Sequence, residues 1–341
     1  MLDENMKKKL LGREDCFSDI VGQEEAKGNL KSALLTERHI IIIGAPGIGK
    51  TTLAKNVAKL TPEIIVNDCP YNCLPEKPVC PECKTGKKTK TKKLPGEKRF
   101  VRIQGSPDLT AEDLLGDIEP VKALKFGPMS IEAFTPGKIF KANNGILFFD
   151  EINRCPEKLQ NALLQVLEEK KATLGSYDVD FEADFIFIGT MNPKDTSTEK
   201  LSDVFVDRFD LVYMNYPENS INESRIVRAK GKNLGIRFPE NLFILMVSFV
   251  RGLRENKKLE KLPSVRATIG LYERAQANAL LRGNKEVEFS DLRNAVDSVL
   301  AHRIELKPSF RYLISPENFV KEEFARFAES QPHSDESGGY L

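Results

Sequence analysis

Eight consecutive residues, Gly44-Ala45-Pro46-Gly47-Ile48-Gly49-Lys50-Thr51, fit the pattern G-x-x-x-x-G-K-[ST]. Glycines in such a run let backbone N–H groups curl around phosphate oxygens, and the N-terminus of a following helix adds a favourable dipole. Lys50 would neutralise β- and γ-phosphates, and Thr51 would coordinate Mg²⁺, with Thr52 beside it in the same turn. The bland alternative is a glycine-rich turn that happens to precede a helix. Context separates the two. The run follows a continuous apolar stretch at residues 39–43 and opens a helical pattern over residues 51–60, which is the setting a phosphate loop requires.

A second apolar stretch, residues 146–149, ends in Asp150-Glu151. Two carboxylates closing a buried strand are costly unless a cation or hydrogen-bond donors satisfy them. Asp150 would complete the Mg²⁺ shell and Glu151 would polarise an attacking water. A strand simply capped by solvated acids is the alternative. Beside a phosphate loop, the pair implies hydrolysis and not only nucleotide binding. Asn192, in Gly189-Thr190-Met191-Asn192-Pro193, would orient water beside a γ-phosphate, or else serve as a turn residue before Pro193. Arg208, in Asp207-Arg208-Phe209-Asp210, stands just before another apolar stretch, where an isolated arginine is more often a surface ion pair.

Four of the six cysteines, Cys69, Cys73, Cys80 and Cys83, fall in a proline-rich segment short of core residues. Four thiolates at these spacings would close a tetrahedral Zn²⁺ site, and a metal would supply order that packing cannot. An iron–sulfur cluster and unligated or redox cysteines are the alternatives. A catalytic zinc does not fit, because four cysteine ligands leave no open position. Cys16 and Cys155 read as ordinary thiols, and His39, His302 and His333 are too scattered for a histidine metal site. Residues 84–102 carry nine Lys or Arg and one acid, Glu97. Such a tract beside a knuckle would suit nucleic acid, yet Phe100 is its only aromatic, so a solvated, mobile loop is the preferred reading.

These residues need elements to carry them. The chain has 341 residues, 40% hydrophobic and 30% charged, enough for two folded domains and unlike a disordered or collagen-like chain. Its 51 basic and 50 acidic residues leave a net charge of +1, so no overall imbalance argues for a nucleic acid or membrane partner. The longest apolar runs are of strand length, and the opening MLDENMKKKLLGREDC lacks the apolar core of a signal peptide. A soluble cytoplasmic protein is expected. Ser18-Asp19 give a helix start signal for a pattern running to Leu35. Strands are expected at 39–43, 100–103, 146–149, 185–189 and 211–214. An amphipathic helix follows Pro156, with Leu159, Leu163, Val166 and Leu167 on one face. Strands alternating with helices predict an α/β fold with a parallel sheet. After about Pro217 the pattern turns helical. The expected organisation is a nucleotide-binding core over 1–217, interrupted by a Cys/Lys-rich loop at 68–99, then a helical domain over 218–329 and a flexible tail at 330–341. No internal repeat is visible.

The order phosphate loop, Asp150-Glu151, Asn192, Arg208 and then a helical domain with Arg266 resembles an AAA+ ATPase. Within that superfamily the chain is similar to the ATPase subunit, subunit I, of magnesium chelatase. The matching segments are Val21-Gly22-Gln23-Glu24, Gly137-Lys138-Ile139 through Asn144-Gly145, Phe149-Asp150-Glu151-Ile152-Asn153, Gly189-Thr190-Met191-Asn192-Pro193 and Val206-Asp207-Arg208-Phe209. The resemblance covers about residues 17–304. The resemblance implies an AAA+ core with a C-terminal all-α lid, residues 105–140 as an insertion within helix 2, and residues 171–184 as a hairpin before sensor 1. It implies ATP and Mg²⁺ as ligands, with Val21 and Gly22 joining residues 44–52 around the nucleotide. By position Asn192 matches sensor 1, Arg208 the arginine finger presented to a neighbour's nucleotide, and Arg266, in Pro263-Ser264-Val265-Arg266, sensor 2. A finger acting in trans requires an oligomer, here a hexameric ring. In the family the ring works with a von Willebrand A partner in a complex that inserts Mg²⁺ into protoporphyrin IX. The rival expectations are a nucleic-acid-acting ATPase of the minichromosome-maintenance type, in which the basic knuckle would contact phosphates, and a MoxR-type chaperone-like ATPase.

Overall fold

Uncharged runs of Val, Ile and Phe suit strands of a parallel sheet, which helices cover on both faces. The computed structural model of the chain describes residues 3–86, 90–127, 130–174, 179–193 and 201–330. Five apolar runs form strands: β1 (His39–Ile43), β2 (Phe100–Gln104), β3 (Gly145–Asp150), β4 (Phe185–Met191) and β5 (Phe209–Tyr213). All pair in parallel, in the spatial order β5-β1-β4-β3-β2. The register sets Ile43 beside Met191, Phe149 beside Gly189 and Asp150 beside Gln104. The carboxyl ends of β1, β4, β3 and β2 therefore lie along one edge of the sheet, where open α/β folds bind ligands.

The sheet's core is dense with aromatic and branched side chains. Ile40, Ile41, Ile42, Phe148, Phe149 and Phe187 are wholly buried, each worth roughly 1.5–3 kcal/mol relative to exposure. His39, half-buried, borders this core. Its Nδ1 accepts a hydrogen bond from Phe187 N at 3.1 Å, and burial pushes its pKa below the ordinary imidazole value, so it serves as a neutral acceptor joining β1 to β4.

Three helices frame the sheet: α1 (Glu24–Leu35), α2 (Lys50–Leu60) and α3 (Glu157–Glu169). Helix α1 begins later than Ser18-Asp19 suggest. Gly22 and Gln23 both sit at left-handed φ, +67° and +62°, which a right-handed helix cannot include. In α3, Leu159, Leu163, Val166 and Leu167 are buried, as their spacing predicts. A short amino-terminal helix, Glu4–Leu11, has no counterpart in the sequence reading. Its buried Met6 and Leu10 are diluted by three lysines, and its cap is Asp3, which accepts from Met6 N at 2.7 Å.

The described part of residues 68–99 contains regular structure. Ile64–Asn67 pairs antiparallel with Thr91–Leu94, and Pro81–Lys84 is a helical turn. The second strand, Thr-Lys-Lys-Leu, exposes three of its four residues, so no apolar alternation announces it. Between β2 and β3 lie the helices Ala111–Leu115 and Pro120–Phe126 and an antiparallel pair, Gly116–Ile118 with Phe134–Pro136. Before β4, Lys171–Leu174 pairs antiparallel with Val179–Glu182. Residues 331–341, most of the expected tail, lie outside the described residues, whereas Ser330 closes a helix.

The chain divides into two compact units, Met1–Ala45 with Gly49–Met214, and Pro46–Ile48 with Asn215–Leu341. The second unit is built from α4 (Ser220–Lys230), α5 (Glu240–Glu255), α6 (Val265–Leu281), α7 (Phe289–Leu300) and α8 (Pro316–Ser330) around Phe243, Phe249, Leu271, Leu292 and Phe319. At its centre Glu223 is completely buried. Its carboxylate accepts two hydrogen bonds from Arg254, both 2.7 Å, and one from Thr268 Oγ1 at 2.6 Å. Arg254 Nε in turn donates to Pro263 O at 2.8 Å, which fixes the turn leading into α6. Removing one member of a buried pair strands the other charge. Glu223→Ala should therefore cost about 3–5 kcal/mol, read as a lower urea midpoint of the full chain at unchanged slope. A loss below about 1 kcal/mol would mean that water reaches Arg254. Among the described residues no helix is long and apolar enough to cross a membrane.

Candidate active site

The glycine run links β1 to α2. Gly44 N donates to Met191 O at 3.1 Å, tying the start of the loop to the end of β4. Gly49, at φ +107°, is the N-terminal cap of α2, a conformation that costs an L side chain roughly 1–2 kcal/mol. The first-turn N–H groups of α2 have no intrahelical acceptor and face the loop, with Thr51 and Thr52 in that turn. Lys50 Nζ donates to Gly44 O at 2.6 Å and Ala45 O at 2.9 Å, which holds the ammonium across the loop. Ile20, just before Val21 and Gly22, packs here too: a Cβ on Gly49 would lie 3.5 Å from its Cδ1. The loop tip, Pro46–Ile48, clusters with the second unit. Within that unit a Cβ on Gly47 (φ +76°) would come 2.9 Å from Ser264 Oγ and 3.0 Å from Arg266 Cδ. Arg266, in the first turn of α6, thus lies beside Gly47 within the second unit.

Strand β3 delivers the two acids to the same sheet edge. Asp150 Oδ1 accepts from Thr190 Oγ1 at 2.6 Å, and its Oδ2 pairs with Arg102 at 2.6 Å. Glu151 N donates to Thr190 Oγ1 at 2.9 Å, and Glu151 Oε2 accepts from Gln104 Nε2 at 3.2 Å and faces Arg154 Nε at 3.4 Å. Glu151 adopts φ +57°, ψ +55°, a strained backbone held because Thr190 grips its N–H. Gly105 permits this packing. Its N–H donates to Asp150 O at 2.7 Å, and a Cβ there would stand 2.1 Å from Glu151 O.

The donor set suits a nucleoside triphosphate with Mg²⁺. Helix N–H groups and an ammonium face one side, and a hard carboxylate–hydroxyl pair faces the other. Arg102 already balances one Asp150 oxygen, a charge that an arriving divalent cation would share or displace. Asn192 follows β4 directly, and its carbonyl accepts from Asn153 Nδ2 at 3.5 Å. Arg208 is held elsewhere. It forms an ion pair with Glu168 at the end of α3, with Nε donating at 2.6 Å, and its NH1 donates to Val204 O at 3.1 Å. The partners of Asp150 and Glu151 are Arg102, Gln104, Arg154 and Thr190 instead.

Thr190, Arg102, Gln104 and Gly105 received no role at this site from the sequence, although Thr190 lies in the segment that carries Asn192. One signal was present: Arg102 and Gln104 are the polar residues of an otherwise apolar strand, spaced i, i+2 and hence on one face. Part of the basic tract is also occupied. Lys92 pairs with Asp68 at 3.0 Å and Lys93 with Glu63 at 3.2 Å. Arg99 is buried and donates to Asn144 O and Pro62 O, each at 2.7 Å. Residues 87–89 lie outside the described residues. The four clustered cysteines do converge, into a group able to hold a metal ion.

Three family models match the chain. The ATPase family associated with various cellular activities (AAA) matches residues 82–211, an AAA lid domain matches 261–323, and magnesium chelatase subunit ChlI matches 16–71. A magnesium-chelatase subunit ChlI homolog from Methanocaldococcus jannaschii is 29% identical over 86% of each chain. The magnesium-chelatase subunit ChlI of Nostoc sp. is 26% identical, over 86% of this chain and 84% of its own. Among solved structures, a RuvB mutant from Thermotoga maritima superposes with a TM-score of 0.51 at 15% identity, over 85% of this chain and 74% of its own, a likeness of fold. With a parallel sheet bearing a glycine loop, and a helical second unit matched by the lid family, the chain is an AAA+ ATPase resembling subunit I of magnesium chelatase.

Proposed function

We propose that this chain is the ATP-hydrolysing motor subunit of a magnesium-chelatase-type complex, working in the cytoplasm as a homo-oligomeric, hexameric ring that remodels a partner bearing a von Willebrand A domain, with metal insertion into a tetrapyrrole as the output. The observation that carries the motor reading is the meeting of the glycine loop, Asp150, Glu151 and Asn192 at one sheet edge. Thr51 and Asp150 would hold Mg²⁺ bound with ATP, which would supply positive charge to offset the charge developing on the phosphates. The chain's own residues do the rest. The first-turn N–H groups of α2 and Lys50 hold the phosphates. Thr190 aligns both acids, and Glu151 takes the proton of the attacking water, which Asn192 helps to orient. Arg266 would contact the phosphates, and Arg208 would complete a neighbour's site.

The magnesium-chelatase relatives favour this type over the MoxR-type alternative. The ion pairs of Lys92 and Lys93 and the burial of Arg99 weigh against a nucleic-acid motor, since those cations are already balanced or enclosed. Steady-state ATP hydrolysis by the purified chain, titrated with single-stranded DNA, double-stranded DNA and protoporphyrin, tests the reading. Turnover should require Mg²⁺, rise more steeply than linearly with protein concentration as subunits assemble, and ignore DNA. Severalfold stimulation by DNA that fades with salt would replace the proposal with a nucleic-acid motor.

A further inference from the structure

The segment from Asn67 to Gly86 folds back on itself around sulfur. Cys69 follows the strand Ile64–Asn67, Cys73 follows a turn in which Asn72 takes φ +47°, and Cys80 caps the helical turn that contains Cys83. The four Sγ atoms lie within 4.8 Å of one another, and all four residues are buried. Backbone amides are aimed at them: Cys73 N donates to Cys69 Sγ at 3.5 Å, and Val79 N and Cys80 N donate to Cys73 Sγ at 3.4 Å each. Amides directed at sulfur offset the negative charge of thiolate ligands.

We propose that Cys69, Cys73, Cys80 and Cys83 bind one Zn²⁺ as a closed tetrahedral thiolate site, and that this ion secures the hairpin to the strand carrying Asp150. Four sulfurs about 2.3 Å from one zinc stand about 3.8 Å apart, so the observed spread needs only a small contraction. An iron–sulfur cluster sets several irons between its cysteines and would hold the sulfurs farther apart. Binding exchanges protons for metal: each thiol releases H⁺ to solvent as its sulfur bonds to Zn²⁺, with no redox change. Four sulfur ligands leave no position for water or substrate, so the ion is structural.

The knuckle is fastened to the core by three asparagines. Asn72 Nδ2 donates to Lys141 O at 2.9 Å, Asn144 Nδ2 to Asn72 O at 3.1 Å, and Asn143 Nδ2 to Tyr71 O at 3.0 Å. Asn143 Oδ1 also accepts from Asp184 N at 3.0 Å. The chain between Cys69 and Cys73 is thereby pinned to the residues that enter β3 and β4. Loss of the ion would free these contacts at the strand starts and leave the phosphate loop's own residues intact.

Elemental analysis of the full chain, purified without added metal and passed over a chelating resin, should give one zinc per chain. Cys80→Ser and Cys83→Ser should lose it, while Cys16→Ser retains it. Should the serine variants fail to fold, the wild-type chain itself decides. Titration with a mercurial reagent should release zinc as about four thiols react, and Co²⁺ exchanged into the site should show the intense visible bands of tetrahedral thiolate coordination. The chelated chain should melt at a lower temperature and recover when Zn²⁺ is returned. A metal-free chain with unaltered melting, or visible iron–sulfur absorption in place of zinc, would overturn the proposal. Either result leaves the ATPase reading untouched, because ATP binding is assayed separately.

Discussion

Replacing Glu151 with glutamine is expected to lower kcat for ATP hydrolysis by about 100-fold or more, while the affinity for ATP stays within about threefold of wild type. The substitution is nearly isosteric. Thr190 grips the backbone N–H of residue 151, not its side chain, so the strained turn is retained. Gln104 can still donate to an amide oxygen at the same place. The change removes one negative charge and the capacity to take a proton. The Glu151–Arg154 pair is half exposed on both sides, at 41% each, and such pairs contribute about 0–1 kcal/mol. Unfolding therefore cannot account for a large loss. The measurement pairs steady-state hydrolysis with equilibrium binding of a fluorescent ATP analogue. Hydrolysis at the wild-type rate would remove Glu151 from its assigned role, and a parallel collapse of binding would assign it to the nucleotide pocket instead.

The sequence made some of this legible and hid the rest for physical reasons. Lys50, Asp150 and Asn192 each follow an apolar run, and strands of one parallel sheet bring their carboxyl ends to one edge, so their convergence could be anticipated from the chain alone. Arg102 and Gln104 could not be assigned to the acids that way. Their contacts depend on β2 lying beside β3 with Gln104 level with Asp150, and register between distant strands leaves little trace in local pattern. Thr190 was hidden likewise, as one hydroxyl in an apolar strand. The hairpin Ile64–Asn67 with Thr91–Leu94 escaped because its lysines face solvent and partner acids rather than a core. The cysteines stood out by spacing, whereas their anchorage on Asn143 and Asn144 emerged only from the fold. Gln23 misdirected the start of α1, since a non-glycine residue at positive φ gives no compositional warning.

Arg208→Ala should lower kcat by about 1,000-fold without loss of ATP binding, and that loss should be repaired by a partner variant that is itself inactive. Arg208 is held away from the acids of its own subunit. Its guanidinium is tied to Glu168 at the end of α3 and to Val204 O, while Asp150 and Glu151 are engaged by other side chains of the same chain. An arginine anchored away from its own acids can stabilise a phosphoryl transition state only in a neighbour's site, and Glu168 then acts as its positioning residue. In a head-to-tail ring each interface joins one subunit's acids to the next subunit's finger. Mixing Arg208→Ala with Glu151→Gln in equal amounts makes roughly a quarter of the interfaces whole, those in which the alanine variant supplies Glu151 and the glutamine variant supplies Arg208. The mixture should regain about that fraction of wild-type turnover, from two preparations that are each nearly silent. Co-assembly is checked independently by pull-down of one tagged variant with the other. If the two variants assemble together and the mixture stays silent, Arg208 does not act across an interface, and its loss must be explained through Glu168 and α3 within the subunit. If the alanine variant alone keeps full turnover, Arg208 is the surface ion pair that its sequence context also allowed.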